Sequence, residues 1–285
     1  MYPVLRRNDK GEEVQRLQSL LNRVGAMLVA DGDFGLGTER GVRYGQHRAG
    51  LPETGFAEEP LWRWLEGQPE PYPLLDVDGV ALIAREETGG LAYYQQVTRW
   101  PHYPGSASGI TIGIGYDLRF NSEDDLRVTW GPHLPQSALH ELIRDIGKRG
   151  SKARERELQR LGIEIPFVVA WQLFIDTTLP RFYTETARIY PSLPHLSPLC
   201  RAALVSLVYN RGAGLIGPTR LEMRAIRDIL VRADDPALAP SARLTVLAEV
   251  EEQFVAMQRL WPLGSGLRKR RQAEANLWRE GLTTV

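Results

Sequence analysis

The stretch ASGITIGIGYDLRF, residues 107–120, decides how the chain is read. Isoleucine and glycine alternate tightly in it, a pattern that suits a strand or hairpin whose backbone comes close to its neighbours. Thr111, Tyr116 and Asp117 are set into that pattern, and a strand that only fills a core has no need of them. Outward from it in both directions the periodicity is helical, so the expected class is mainly α with one small β element over 105–120.

Upstream, Val14, Leu17, Leu20, Leu21 and Val24 repeat at helical spacing, with Gly25 as the stop. DGDFGLGTERGVRYGQHRAG then gives a compact loop around Asp31, Gly32, Gly35 and Gly37, with Thr38 as the expected cap of a second helix. A third short helix is expected around Leu61, Trp62 and Leu65. The proline-rich segment that follows reads as a linker over 68–78, between a small three-helix domain at 1–67 and a larger α+β domain at 79–285. Within the larger domain, helical patterns cover 80–97, 134–160 and 165–190. More follow in CRAALVSLVYNRGAG, SARLTVLAEVEEQFVAMQRLW and LRKRRQAEANLWREG. DLRFNSEDD, from 117 onward, reads as a polar loop.

Composition narrows the function classes. The 35 basic and 35 acidic residues among 285 leave no net field, which argues against a protein built to hold nucleic acid by charge. The single cysteine, Cys200, excludes an intramolecular disulfide and is expected to be a small core residue. The N-terminus lacks the apolar run of a secretory signal and no segment approaches a membrane span, so the chain is expected to be made in the cytoplasm, without membrane insertion. The five histidines, His47, His102, His133, His140 and His195, show no metal-ligand spacing, and no GxSxG elbow is present, so neither metal nor cofactor is expected. RKRR at 268–271 reads as a solvated helix face.

The first sixty or so residues resemble the three-helix peptidoglycan-binding domain family. The resemblance is carried by Gly11, Val14, Leu17, Gln18, Leu21, Gly25, Asp31, Gly32, Phe34, Gly35, Thr38, Gln46, Gly50, Leu51 and Gly55. It implies a wall anchor with a shallow ligand groove at the glycine-rich loop, where Asp31, Gly32, Phe34 and Gly35 are the candidate binding residues and peptidoglycan the partner. Tyr44 and Gly45 stand where the family usually has an apolar and an aromatic residue, a departure expected to loosen the second helix.

In the larger domain TIGIGYDL is similar to the hairpin signature of phage-type lysozymes, and the spacing from EETGGLAYY to it resembles the pesticin branch of that superfamily. ALVSLVYNRG and GLRKRRQAEANLW resemble the central and closing helices of the same domain. The resemblance implies a lysozyme-like fold with a helical lobe, and a glycosidase needs a protonated acid plus a group that places water. Glu87, after the apolar run VALIA, is the acid candidate, since a helix end in a partly dry cleft favours the protonated carboxyl, and its neighbour Glu86 competes for the role. Phage lysozymes carry an aspartate between the glutamate and the threonine, and LAYYQQVTRWPHYPGSASG has none. The pesticin-like pattern supplies one six residues beyond the threonine, which makes Thr111 and Asp117 the water-placing candidates.

These resemblances together imply a monomeric modular endolysin, a muramidase of the cell wall released through a holin pore to act in the periplasm. The missing aspartate keeps a second reading open, an inactive wall-binding or structural component, and a bacteriocin-like secreted muramidase is a third. The alternative for RKRR is that one of its arginines pairs with Glu87 or reaches the anionic wall, without a choice among them.

Overall fold

The computed structural model describes residues 2–283 and is mainly α. Helix α1 (Glu12–Arg23) buries Val14, Leu17, Leu20 and Leu21 on one face, carries Glu12 and Glu13 at its positive end, and stops where Gly25 turns at φ +92°. With α2 (Leu36–Arg48) and α3 (Glu59–Glu66) it forms a three-helix module centred on Leu21, Phe34, Val42, Leu61 and Trp62. Two expectations are corrected here. Gly35, not Thr38, is the N-cap of α2; Thr38 lies inside the first turn, buried, where its hydroxyl accepts from Gln18 Nε2 at 3.0 Å. Nor is α2 loosened at Tyr44 and Gly45. A Cβ on Gly45 would come within 2.9 Å of Leu21 and 3.3 Å of Leu61, so the missing side chain is what lets the helices close.

By packing, the chain forms two units: residues up to Pro69 together with Ala84–Pro180, and Glu70–Ile83 together with residues from Arg181 onward. The Pro69–Glu70 boundary lies in a loop and the other two fall inside helices. α4 (Val77–Thr88) belongs to both, and its central run Val80–Ala84 is buried throughout, as suits a helix apolar on every side.

In the first unit α5 (Leu91–Tyr93) continues as a π-helical turn, Tyr94–Thr98, and leads to strands β1 (Thr111–Ile112) and β2 (Tyr116–Asp117). The strand pair expected over 105–120 is thus confined to two residues a side, because Gly113 and Gly115, at φ +57° and +71°, turn the chain and Leu118–Phe120 closes into a 3-10 turn. α6 (Glu123–Trp130), α7 (Gln136–Ile143), α8 (Lys152–Arg160) and α9 (Phe167–Leu173) follow, and a second π turn, Phe174–Thr178, runs into α10 (Leu179–Ile189). α6 replaces the expected polar loop. Ser122 and Asp125 close a reciprocal capping box at its start, and Leu126 and Trp130 anchor it in the core.

The second unit packs α11 (Pro198–Arg211), α12 (Leu221–Ala233), α13 (Pro240–Met257) and α14 (Gly266–Thr283) around Trp278, Phe254, Met223 and Leu204. Helix α12 has no counterpart in the sequence reading. Cys200 lies in this core at 1% exposure, and burial pushes its thiol up to about 11. The RKRR run is not a solvated face. Arg270 and Arg271 are buried and reach the fully buried Glu274, Arg271 at 2.7 Å, while the Ser206 hydroxyl donates to the same carboxylate at 2.6 Å. Burial pushes the Glu274 carboxyl up against the pull of the two guanidiniums. Among the described residues no helix is long and apolar enough to cross a membrane.

Candidate active site and wall-binding surface

Glu87 sits in the last turn of α4, half-buried, while Glu86 is exposed. The helix ends firmly there. The Thr88 hydroxyl donates to Ala84 O at 2.8 Å and accepts from the Gly90 amide at 3.2 Å. Gly89 and Gly90 then reverse the chain at φ +79° and +92°, and a Cβ on Gly89 would strike the Tyr93 ring at 2.9 Å. Glu87 therefore lies one residue before the stop of α4.

Thr111 and Asp117 are directly opposed in the antiparallel register, which puts their side chains on one face of the hairpin. The Thr111 amide and carbonyl bond outward to His102, at 2.8 and 3.0 Å, so the pair with Asp117 is of the non-hydrogen-bonded kind, with close side chains. His102 is held below the usual imidazole range chiefly by burial. Asp117 is anchored by backbone: its Oδ1 accepts from Arg119 N at 2.8 Å, and both oxygens accept from Gly109 N at 3.0 Å. Nothing in the local sequence distinguishes Gly109 from its neighbouring glycines. A Cβ there would lie 2.5 Å from Asp117 Oδ1, so only glycine lets the amide reach the carboxylate. The structure thus brings Thr111 and Asp117 together and places Glu87 in the same packing unit. Among the described residues no three His, Cys, Asp or Glu side chains gather into a metal-holding group.

In the three-helix module the glycine-rich loop is organised from within by Gln18, which is 1% exposed. Its Nε2 donates to Asp31 Oδ1 at 2.9 Å and to Asp33 O at 3.1 Å, and its Oε1 accepts from Gly32 N at 2.9 Å. Gln46 does the same for the next loop, donating to Phe56 O at 3.0 Å and accepting from Gly55 N at 3.0 Å. Asp31 and Gly32 line a depression of ≈ 410 Å³ with Lys10, Gly11 and Gln15. Phe34 does not share that surface: its ring is fully buried and belongs to the core, and Gly35 caps α2.

Residues 10–65 match the family model of the putative peptidoglycan binding domain, and the three helices above are the part of the chain it covers. The match is confined to the N-terminal module and supports peptidoglycan as what that module binds. No curated protein matches the chain.

Proposed function

We propose that the chain is an endolysin-type muramidase, which holds peptidoglycan through its N-terminal domain and hydrolyses the β-1,4 bond between N-acetylmuramic acid and N-acetylglucosamine. The observation that carries this reading is the Thr111–Asp117 pair on one hairpin face, in the packing unit that also holds Glu87 in the last turn of α4.

Glu87 donates its proton to the departing glycosidic oxygen as the C1–O bond breaks. Water attacks C1 from the opposite face, oriented by the Thr111 hydroxyl, and passes a proton to Asp117. A carboxylate has about four lone-pair sites. Two amide donors, Gly109 shared between both oxygens and Arg119 on Oδ1, hold the group still for the reaction and leave lone pairs free for water. The product is inverted, which requires a Glu87–Asp117 carboxyl separation of roughly 6.5 to 9.5 Å. Made in a host cytoplasm, the protein acts on the wall after release through a holin-type pore.

The test is loss of turbidity of purified peptidoglycan. Glu87→Gln should lower the rate by about 10² to 10⁴, the usual contribution of a general acid, while sedimentation with the wall is unchanged. Clearance by the variant at the wild-type rate would remove Glu87 from the chemistry, and absence of clearance by the wild type would favour a wall-binding component without activity.

A further inference from the structure

A second concave site lies wholly within the first unit. It has a volume of ≈ 650 Å³, is lined on one side by α2 and on the other by the segment that begins at Gly89, two residues past Glu87, and falls in the size range of sites that enclose small ligands. Its floor is apolar, formed by Ala26, Met27 and Leu91, and its walls are polar.

The polar groups differ in what they already hold. On α2, Arg40, Arg43, Tyr44 and His47 recur at the spacing of one helix face and all line the cavity. Arg43 is engaged by Glu39 at 3.1 Å and by the Glu53 carbonyl, and His47 is engaged by the Glu53 carboxylate at 2.9 Å. The one lining carboxylate, Glu53, is therefore taken. Arg40 has no hydrogen-bond or ion-pair partner among the described residues, and neither do Gln95 and Gln96 across the cavity; all three are exposed. An exposed guanidinium without a counter-ion, across the cavity from two amides that both donate and accept, offers a site for a carboxylate attached to a peptide chain.

From this geometry we infer that the cavity binds the short carboxylate-bearing peptide of the wall polymer, with Arg40 on a carboxylate and Gln95 and Gln96 on peptide amides. The inference rests on the muramidase reading in one respect. The wall peptide hangs from N-acetylmuramic acid, so a peptide pocket starting two residues from Glu87 would fix which sugar meets the acid. The wall-binding domain is then part of the substrate site as well as an anchor.

Calorimetry on the full chain tests this without turnover, so its outcome stands apart from whether Glu87 cleaves anything. The probes are a synthetic wall tetrapeptide with free carboxylates, the same peptide with its carboxylates amidated, and a tetramer of N-acetylglucosamine. The free-acid peptide should bind, and Arg40→Ala, at an exposed position that leaves the thermal midpoint unchanged, should weaken it at least about tenfold, the effect of losing one charge-assisted contact. Amidation should weaken the wild type to the same degree. Failure of the free-acid peptide to bind, equal affinity for the amidated form, or affinity untouched by Arg40→Ala would each overturn the assignment, as would loss of tetramer binding in Arg40→Ala, which would mark a sugar site instead.

Discussion

Gly109 shows how far one missing side chain reaches. Its amide holds both oxygens of Asp117, and a methyl group at its Cα would stand 2.5 Å from one of them and 2.8 Å from the Arg119 amide, the other donor to that carboxylate. Gly109→Ala should therefore push Asp117 off its donors. The expected cost is about 1 to 3 kcal/mol in urea unfolding, the penalty for leaving partly buried polar groups unpaired, together with loss of wall clearance. An alanine variant with native stability and rate would show that the carboxylate needs no such anchor. At this scale the Thr111–Asp117 pairing was legible, because a three-residue turn over Gly113–Gly115 necessarily opposes residues six apart. The anchor on Gly109 was not, since an ordinary glycine in a glycine-rich stretch gives no sign of which atom approaches it. RKRR misled for a related reason. A run of charge reads as solvated, and only the fold brings Ser206 beside Glu274 so that Arg270 and Arg271 have buried partners.

Elements were legible where apolar periodicity set them and less so where caps did. α1, α3, α4 and α11 follow their buried faces, and Gly212 ends α11 at φ +72° as its position after the last apolar turn implies. α6 has only Leu126 and Trp130 to bury, and its acidic first turn resembles a loop. What identifies it is the spacing of Ser122 and Asp125, whose side chains each satisfy the other's backbone amide at 3.1 and 3.2 Å. α6 packs beneath the hairpin: Trp130 meets the Tyr116 ring edge-on at 5.7 Å and would clash at 2.6 Å with any Cβ on Gly113. Ser122→Ala should destabilise the protein by about 1 kcal/mol, read as a lower urea midpoint at unchanged slope, and should raise amide exchange in α6 ahead of the module helices. Equal exchange in both would mean that Trp130 alone carries the helix. α12 buries Met223, Ile226, Ile229, Leu230 and Ala233 at helical intervals, a periodicity its sequence carries between two turn signals.

At the scale of the whole molecule, the packing units do not follow the order of the chain. The N-terminal three-helix module packs in one unit with Ala84–Pro180. Tyr44 meets Phe167 edge-on at 5.8 Å, the Thr88 hydroxyl lies 3.4 Å from Met27 Sδ, and a Cβ on Gly25 would fall 2.9 Å from the Trp171 ring. No local pattern in the sequence announces contacts between residues so far apart along it. A chain lacking residues 1–69 should therefore lose several degrees in thermal midpoint and bind a dye for exposed apolar surface, because Phe167 and Trp171 lose their cover. An unchanged midpoint would return the domain to the status of a tethered anchor.

The most direct test of the central claim is mass analysis of the soluble fragments released from purified peptidoglycan by the full chain. The account predicts disaccharide-peptides ending in reducing N-acetylmuramic acid, formed by wild type and not by Glu87→Gln. Anhydro-muramic ends, free wall peptides, or no released fragments at all would contradict it.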